Sequence, residues 1–143
     1  MTNTVTTPKH LWIIGIVSLL WNMMGAYDYL MTQTKNAAYM AKFEPAQLDY
    51  FYNFPAWVVV FWALAVWGAV LGSVLLLMRK RLAAPVFLVS FASMVITAIY
   101  NFGLSNGMEV MGSTGFVFTV VIFFTALGLW LYARAMQVRG VLS

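Results

Sequence analysis

The sequence predicts an all-α integral membrane protein, a four-helix bundle of two antiparallel hairpins that forms a single membrane domain over residues 1–143. Three observations lead to this prediction. The hydrophobic fraction is 63% and the charged fraction only 8%, whereas soluble domains average about 45–50% and about 25%. The mean hydropathy is +0.85. Four stretches are also long enough to cross the roughly 30 Å hydrocarbon core as helices, and they are continuous apolar runs without the alternation of outer-membrane strands.

The predicted spans are joined by connections of different lengths. The basic turn Arg79–Arg81 links the second and third spans, and it is too short for anything except an antiparallel hairpin. The first connection contains an aromatic, amphipathic segment that predicts a short interfacial helix over about 45–54, with Pro45 in its first turn. The spans themselves are predicted at about 11–31, 56–78, 82–104 and 116–136.

Basic residues are unevenly divided between the two ends of the predicted bundle. Lys35 and Lys42 lie in the outer connection, and the other basic residues lie at the end that holds both termini. By the positive-inside rule, this imbalance places both termini in the cytoplasm. The basic residues at that end are Lys9, Arg79, Lys80, Arg81, Arg134 and Arg139.

The first span has a second interpretation as a secretory signal peptide, because Lys9 precedes the apolar run Leu11–Leu20 and a small Gly25 follows. Against a signal peptide, Met24 occupies the position where a small residue should precede the cleavage site. The apolar pattern also continues to Met31, which is long enough to span. A membrane span is therefore the favoured interpretation.

The residue inventory excludes several kinds of chemistry. The chain has no Cys and one His, which rules out disulfides and the common thiolate or imidazole metal sites. It contains no glycine-rich phosphate loop and no Ser with a usable His. Its net charge of +4 is too small for a nucleic-acid binder. The sequence thus predicts no enzyme, no catalytic residue, no metal, no cofactor and no nucleic-acid partner.

Polar residues recur at helical spacing along the first and third spans. Because polar side chains are costly in hydrocarbon, we expect the two stripes to face each other and to line an outward-facing hollow near the periplasmic ends. The candidate ligand-binding residues are Asn22, Asp28, Tyr29, Tyr100 and Asn101. Two roles of Asp28 stay open: a structural pin between helix ends, or a carboxyl group that exchanges a proton as a ligand comes and goes.

A small-residue face on the second span contains Gly68 and Gly72 at the spacing that lets two backbones approach closely. This face predicts either packing within the bundle or the seam of a homodimer. An internal repeat is a further open question. The segments Trp21–Gly25 and Tyr100–Gly103 both begin with an aromatic residue and Asn, as two parallel hairpin repeats would.

The chain resembles a family of small, uncharacterised four-helix proteins from proteobacterial inner membranes. Members of that family often carry the automatic label "sugar transporter". The resemblance covers most of the chain and implies a location in the bacterial inner membrane, but it supplies no site residues. It lies in the strings WNMMGAYDYLMTQT (Trp21–Thr34), FPAWVVVFWALAVWG (Phe54–Gly68) and IYNFGLS (Ile99–Ser105).

Two functions stay open for such a chain. The favoured one is an accessory or structural subunit of a larger membrane assembly, because nothing in the sequence demands chemistry and its aromatic faces suit lateral packing. The alternative is binding or transport of a small, sugar-like or lipophilic molecule through the outward-facing hollow. The lipid bilayer is a partner in both cases. A transporter is expected as a homodimer, since four helices leave little room for alternating access.

Overall fold

The computed structural model describes residues 6–143, and within this part of the chain every regular element is helical. Four helices are long and apolar enough to cross a membrane, as expected of a multi-pass membrane protein. A π-helical turn continues the fifth helix. The elements are α1 (Lys9–Gln33), α2 (Ala37–Met40), α3 (Pro45–Tyr52), α4 (Ala56–Leu77), α5 (Ala83–Ile99), the π-helical turn (Tyr100–Leu104) and α6 (Gly107–Val138).

The long helices pack in chain order. Helix α4 lies between α1 and α5, and α6 lies against the other side of α5. Helices α1 and α6 are not among the closely packed pairs of the described residues. Single side chains connect them instead: His10 is hydrogen-bonded to Tyr132, and the rings of Trp21 and Phe118 lie 6.0 Å apart between centroids. The bundle therefore has a gap between α1 and α6.

The end of the bundle that holds the basic turn and the C-terminal residues, here called the terminal end, is closed by a hydrophobic core. The backbone N–H of Ser143 donates to the carbonyl of Arg79 (3.0 Å), and the N–H of Arg81 donates to the carbonyl of Ser143 (3.1 Å). This pairing folds Val141 and Leu142 under the bundle, where Leu142 is only 2% exposed. The other buried residues of this core are Leu11, Leu76, Ala83, Ala84, Phe87, Leu129, Ala133 and Met136.

The turn between α4 and α5 is tight because α4 ends on a residue with a left-handed backbone. Arg79 has a φ of 58°. Its N–H donates to the carbonyl of Leu76, and the N–H of Lys80 donates to that of Leu75 (2.9 Å). This paired ending satisfies helix-end carbonyls, and α5 begins shortly after it, at Ala83.

Helix α4 approaches α5 closely at two glycines. A Cβ atom at Gly72 would lie 2.7 Å from the ring of Phe87, and one at Gly68 would lie 3.2 Å from the Cβ of Ser90. Phe87 is 2% exposed, so a Cβ atom at Gly72 would displace a ring that is packed inside the bundle. The small-residue face of α4 is thus filled by α5 of the same chain.

Two elements at the opposite end, here called the loop end, differ from the sequence-based boundaries. The third span does not stay α-helical to its end, because it changes to the π-helical turn at Tyr100. Helix α6 begins at Gly107, earlier than predicted, and it bends at Gly112, where φ is 70°. Such a backbone costs glycine little and other residues much. Residues 107–115 are rich in polar residues and glycine, so hydropathy alone does not mark them as part of a span.

Candidate functional site

A cavity of about 490 Å³ lies inside the bundle, between α1, α4, α5 and α6. Its floor faces the terminal end and includes Phe87 and Leu129, which belong to the hydrophobic core. Its roof at the loop end consists of Phe43, Phe51 and Phe54, on α3 and the chain next to it. The cavity is therefore covered at both ends of the bundle.

The roof is a layer of aromatic rings held in place from two sides. Phe51 packs edge to face on Phe43 (5.4 Å between centroids) and on Phe54 (6.1 Å), an arrangement that aromatic pairs prefer. Gln47 of α3 donates from its side-chain amide to the carbonyl of Val110 on α6, 3.4 Å away. The short helix that the sequence predicts here is present as α3, and it covers the cavity at the loop end.

The mouth of the cavity faces sideways, between α1 and α6. Of the described residues that line the cavity, the two that are also strongly exposed are Met24 on α1, at 66%, and Phe118 on α6, at 55%. They flank the gap between these two helices. If the four long helices span a bilayer, this mouth opens toward lipid and not toward water.

Asp28 lines the cavity near the roof, and Tyr39 of α2 holds it there. The Tyr39 hydroxyl donates a hydrogen bond to Oδ1 of Asp28. Burial, and then this hydrogen bond, raise the pKa of Tyr39 above its ordinary range, so the phenol keeps its proton and stays a donor. Among the described residues, Tyr39 is the one side chain that contacts the Asp28 carboxylate by a hydrogen bond.

Asn101 lines the cavity from the π-helical turn and is held by α3. The hydroxyl of Tyr50 donates to Oδ1 of Asn101 (2.8 Å) and is also hydrogen-bonded to Ser105 (2.7 Å). Burial raises the pKa of Tyr50, and the Ser105 hydrogen bond partly opposes this. The π-helical turn shifts Asn101 out of the α-helical register. Such turns often occur at functional sites.

Asn22 lines the cavity lower down and connects α1 to α4. Its amide nitrogen donates to the carbonyl of Ala69 (3.2 Å) and to the hydroxyl of Ser73 (2.9 Å). Ser73 is also hydrogen-bonded to Ser18 (3.2 Å). Because both amide hydrogens are used within the protein, Asn22 can offer a ligand only its carbonyl oxygen.

The two polar stripes predicted from the sequence do not meet directly. Helix α4 separates their lower parts: Asn22 donates to α4 from one side, and Ser90 of α5 donates to the carbonyl of Ala65 from the other (2.6 Å). Their upper parts face each other across the cavity, because Asp28 and Asn101 both line it.

Two of the five candidate residues lie outside the cavity lining. Tyr29 packs edge to face on Trp62 (4.9 Å between centroids). Tyr100 packs in the same way on Trp57 (5.5 Å) and Phe54 (5.8 Å). These tyrosines support the aromatic layer around the roof, whereas Asn22, Asp28 and Asn101 line the cavity itself.

Sequence reasoning missed the residues that come from the first connection. Tyr39 and Tyr50 orient Asp28 and Asn101, and neither belongs to the polar stripes of the first and third spans, because they lie on the short helices α2 and α3. The aromatic density of this segment was visible, but its position over the cavity follows from contacts distant in sequence. The sequence feature that could have pointed to them is the presence of two tyrosines in the connection before the second span.

The described residues contain no group of His, Asp and Glu side chains that could hold a metal ion. Comparisons of the chain with protein-family models, with curated proteins and with solved structures gave no match. The resemblance to small inner-membrane proteins therefore stays a prediction, and the geometry of the cavity is the basis for the function proposed below.

Proposed function

We propose that this protein binds a small, largely apolar molecule in the cavity between its helices. The observation that carries the proposal is the cavity itself. Protein interiors are close-packed with few voids larger than a water molecule, whereas a volume of about 490 Å³ falls in the range of ligand sites, roughly 300–1,000 Å³. The apolar wall with a few polar groups is also typical of such sites.

The composition of the wall favours a lipophilic ligand over a sugar. Aromatic and aliphatic side chains form the floor, the roof and the mouth of the cavity. A sugar needs a hydrogen-bond partner for most of its hydroxyl groups, because each polar group buried without a partner is costly. A molecule that enters through the lateral mouth must also first dissolve in the bilayer.

The rival proposal is an accessory subunit of a larger membrane assembly. It accounts for the exposed apolar faces of the long helices, such as Ile13 and Phe124, at 64% and 63%, but contact with lipid accounts for them equally well. It gives no reason for a cavity of this size. The cavity therefore favours ligand binding over the accessory role, although the sequence alone favoured the latter.

We further propose that the protein lies in the bacterial inner membrane with both termini in the cytoplasm. The proposal rests on the charge imbalance and on the resemblance described above. Because the chain has no Cys, single substitutions report the orientation cleanly. In spheroplasts, a membrane-impermeant maleimide should label Ala38→Cys between α1 and α3 and should not label Lys80→Cys until the membrane is opened. The reverse pattern would invert the topology.

Native mass spectrometry of the protein, released gently from its own membranes, tests ligand binding. Ala126 lines the cavity, whereas Ala135, further along the same helix, is exposed. We expect a reproducible small-molecule adduct on the wild type and on Ala135→Trp, and its loss from Ala126→Trp, in which an indole projects into the cavity and takes part of its volume. An adduct that persists in Ala126→Trp would contradict the proposal, and copurification in a larger stoichiometric complex without an adduct would support the accessory role.

A further inference from the structure

We propose that the ligand is a lipophilic amine, whose ammonium group pairs with Asp28 while its apolar part fills the cavity. This inference rests on the proposed function and names the chemical class that the cavity selects. It follows from the hydrogen-bond capacity of the polar groups in the wall, from the charge of the wall and from the position of its aromatic rings.

The hydroxyl groups of the wall are already used as donors. Ser90 donates to the carbonyl of Ala65 (2.6 Å), Thr97 to that of Met94 (2.8 Å) and Thr119 to that of Gly115 (2.9 Å). Each hydroxyl oxygen keeps lone pairs that can accept a hydrogen bond. In this arrangement these groups offer a ligand acceptors and no free donor.

The remaining hydroxyl groups and the amide of Asn22 follow the same pattern. Thr125 donates to the carbonyl of Val121 and Thr32 to that of Asp28, both at 2.8 Å, and both amide hydrogens of Asn22 are used on α4. In the described wall, the donors that stay free are the amide of Asn101 and the indoles of Trp21 and Trp62. Acceptors predominate, so a hydrogen-bond donor is the better match.

Asp28 adds charge to this pattern. It is the only ionisable side chain among the described residues that line the cavity, and neither Lys nor Arg is among them. Its one hydrogen-bonded side-chain partner in the described chain is the neutral phenol of Tyr39. A carboxylate in a largely apolar wall is costly without a cation, and an ammonium group supplies both the positive charge and the donors.

The aromatic rings near Asp28 already contact one cation, the ammonium group of Lys42. The Lys42 ammonium lies 3.9 Å from the centroid of the Tyr39 ring and 5.2 Å from that of Phe43, within the range of cation–π attraction. Phe43 also lines the cavity. A ligand ammonium next to Asp28 would therefore meet the Phe43 ring, and the apolar wall below would take its hydrocarbon part.

Three amphiphiles with the same chain test the proposal: dodecylamine, dodecanol and dodecanoate, each titrated onto the protein in micelles and measured as adducts by native mass spectrometry. We expect dodecylamine to bind about tenfold more tightly than dodecanol, and dodecanoate to bind most weakly, because hydrogen bonds between charged groups are roughly twice as strong as neutral ones. Asp28→Asn should remove the preference for the amine. Tyr39→Phe keeps the carboxylate and should retain the preference, which separates the charge of Asp28 from its role as a partner of Tyr39.

The outcomes separate this inference from the proposed function. Equal binding of all three amphiphiles to the wild type, with loss in Ala126→Trp, would overturn the amine assignment and leave the binding function in place. No cavity-dependent binding of any amphiphile would overturn both. A preference for the amine that survives in Asp28→Asn would also overturn the assignment. If Asp28→Asn does not fold, the ranking on the wild type and on Tyr39→Phe decides.

Discussion

The hydroxyl of Tyr50 on α3 donates a hydrogen bond to Oδ1 of Asn101 on the π-helical turn, 2.8 Å away. This bond joins the roof of the cavity to its wall. Tyr50 also packs edge to face on Phe54, with 5.2 Å between centroids, so its position fixes one of the rings that cover the cavity. The roof is thus held by a polar contact whose removal leaves the rings intact.

Replacing Tyr50 with Phe is expected to loosen the roof of the cavity while its aromatic rings stay in place. The loss of the hydrogen bonds to Asn101 and Ser105 should lower the free energy of unfolding by about 1–3 kcal/mol and speed the release of a bound amphiphile, because α3 then separates from Asn101 more often. Thermal unfolding and the dissociation rate of dodecylamine measure the two effects. Tyr52→Phe on the same helix is the matched control. Equal release rates in both variants would contradict a lid role for α3.

The close contact of α4 and α5 predicts a graded response to alanine at three glycines. Gly72→Ala would place a Cβ 2.7 Å from the Phe87 ring and should destabilise the fold by about 1–3 kcal/mol. Gly68→Ala should cost less, since its contact is 3.2 Å. Gly128→Ala meets nothing within 4 Å and serves as the control. If Gly72→Ala unfolded like Gly128→Ala, this face would not be filled by α5.

The C-terminal segment should contribute to the core at the terminal end. Leu142 is 2% exposed, whereas Val138 in the last turn of α6 is 80% exposed. Leu142→Ala is therefore expected to lower the free energy of unfolding by about 2 kcal/mol or more, as for other buried leucines, and Val138→Ala should have little effect. Chemical unfolding in micelles measures both. A Leu142→Ala variant as stable as Val138→Ala would show that the segment does not close the bundle.

The raised pKa of Tyr39 predicts how this contact responds to alkali. The folded chain keeps the phenol proton at a pH where an unfolded chain loses it, near the ordinary tyrosine pKa of 10.0. Its stabilising contribution is thus complete below that pH and is lost as the pH rises through the folded pKa. The tyrosinate absorbance of wild type minus Tyr39→Phe should show no transition near 10.0. Asp28→Asn should lower the pKa of Tyr39, although burial still raises it. A transition near pH 10.0 in this difference absorbance would contradict the hydrogen bond between Tyr39 and Asp28.

The four helices that are long and apolar enough to cross a membrane were predictable because their signal is local. Each span needs a long apolar run, and the stretch 56–78 is by itself an apolar run of sufficient length. The short helix α3 was also predictable, because its Pro and aromatic pattern lies within one short segment. The start of α6 was not, because residues 107–115 are polar and bend at Gly112, and hydropathy does not register such a helix.

The cavity was only partly predictable. Helical spacing selects Asn22, Asp28 and Asn101 as inward-facing, since polar groups avoid lipid. Helical spacing does not show that both amide hydrogens of Asn22 are used on α4. Nor does it show that Tyr39 and Tyr50, from the first connection, form hydrogen bonds with Asp28 and Asn101. Those contacts join residues that share no periodic pattern, so only the folded chain reveals them.

Photolabelling with a diazirine-bearing long-chain alkylamine tests the central claim most directly. After irradiation in micelles, peptide mass spectrometry locates the labelled residues with and without excess dodecylamine. Ala98 and Ile122 line the cavity, whereas Leu88 and Val121 face outward on the same two helices. The account predicts that dodecylamine suppresses labelling at Ala98 and Ile122 and leaves labelling at Leu88 and Val121 unchanged. Labelling that dodecylamine suppresses nowhere, or equally at all four positions, would contradict a ligand site between the helices.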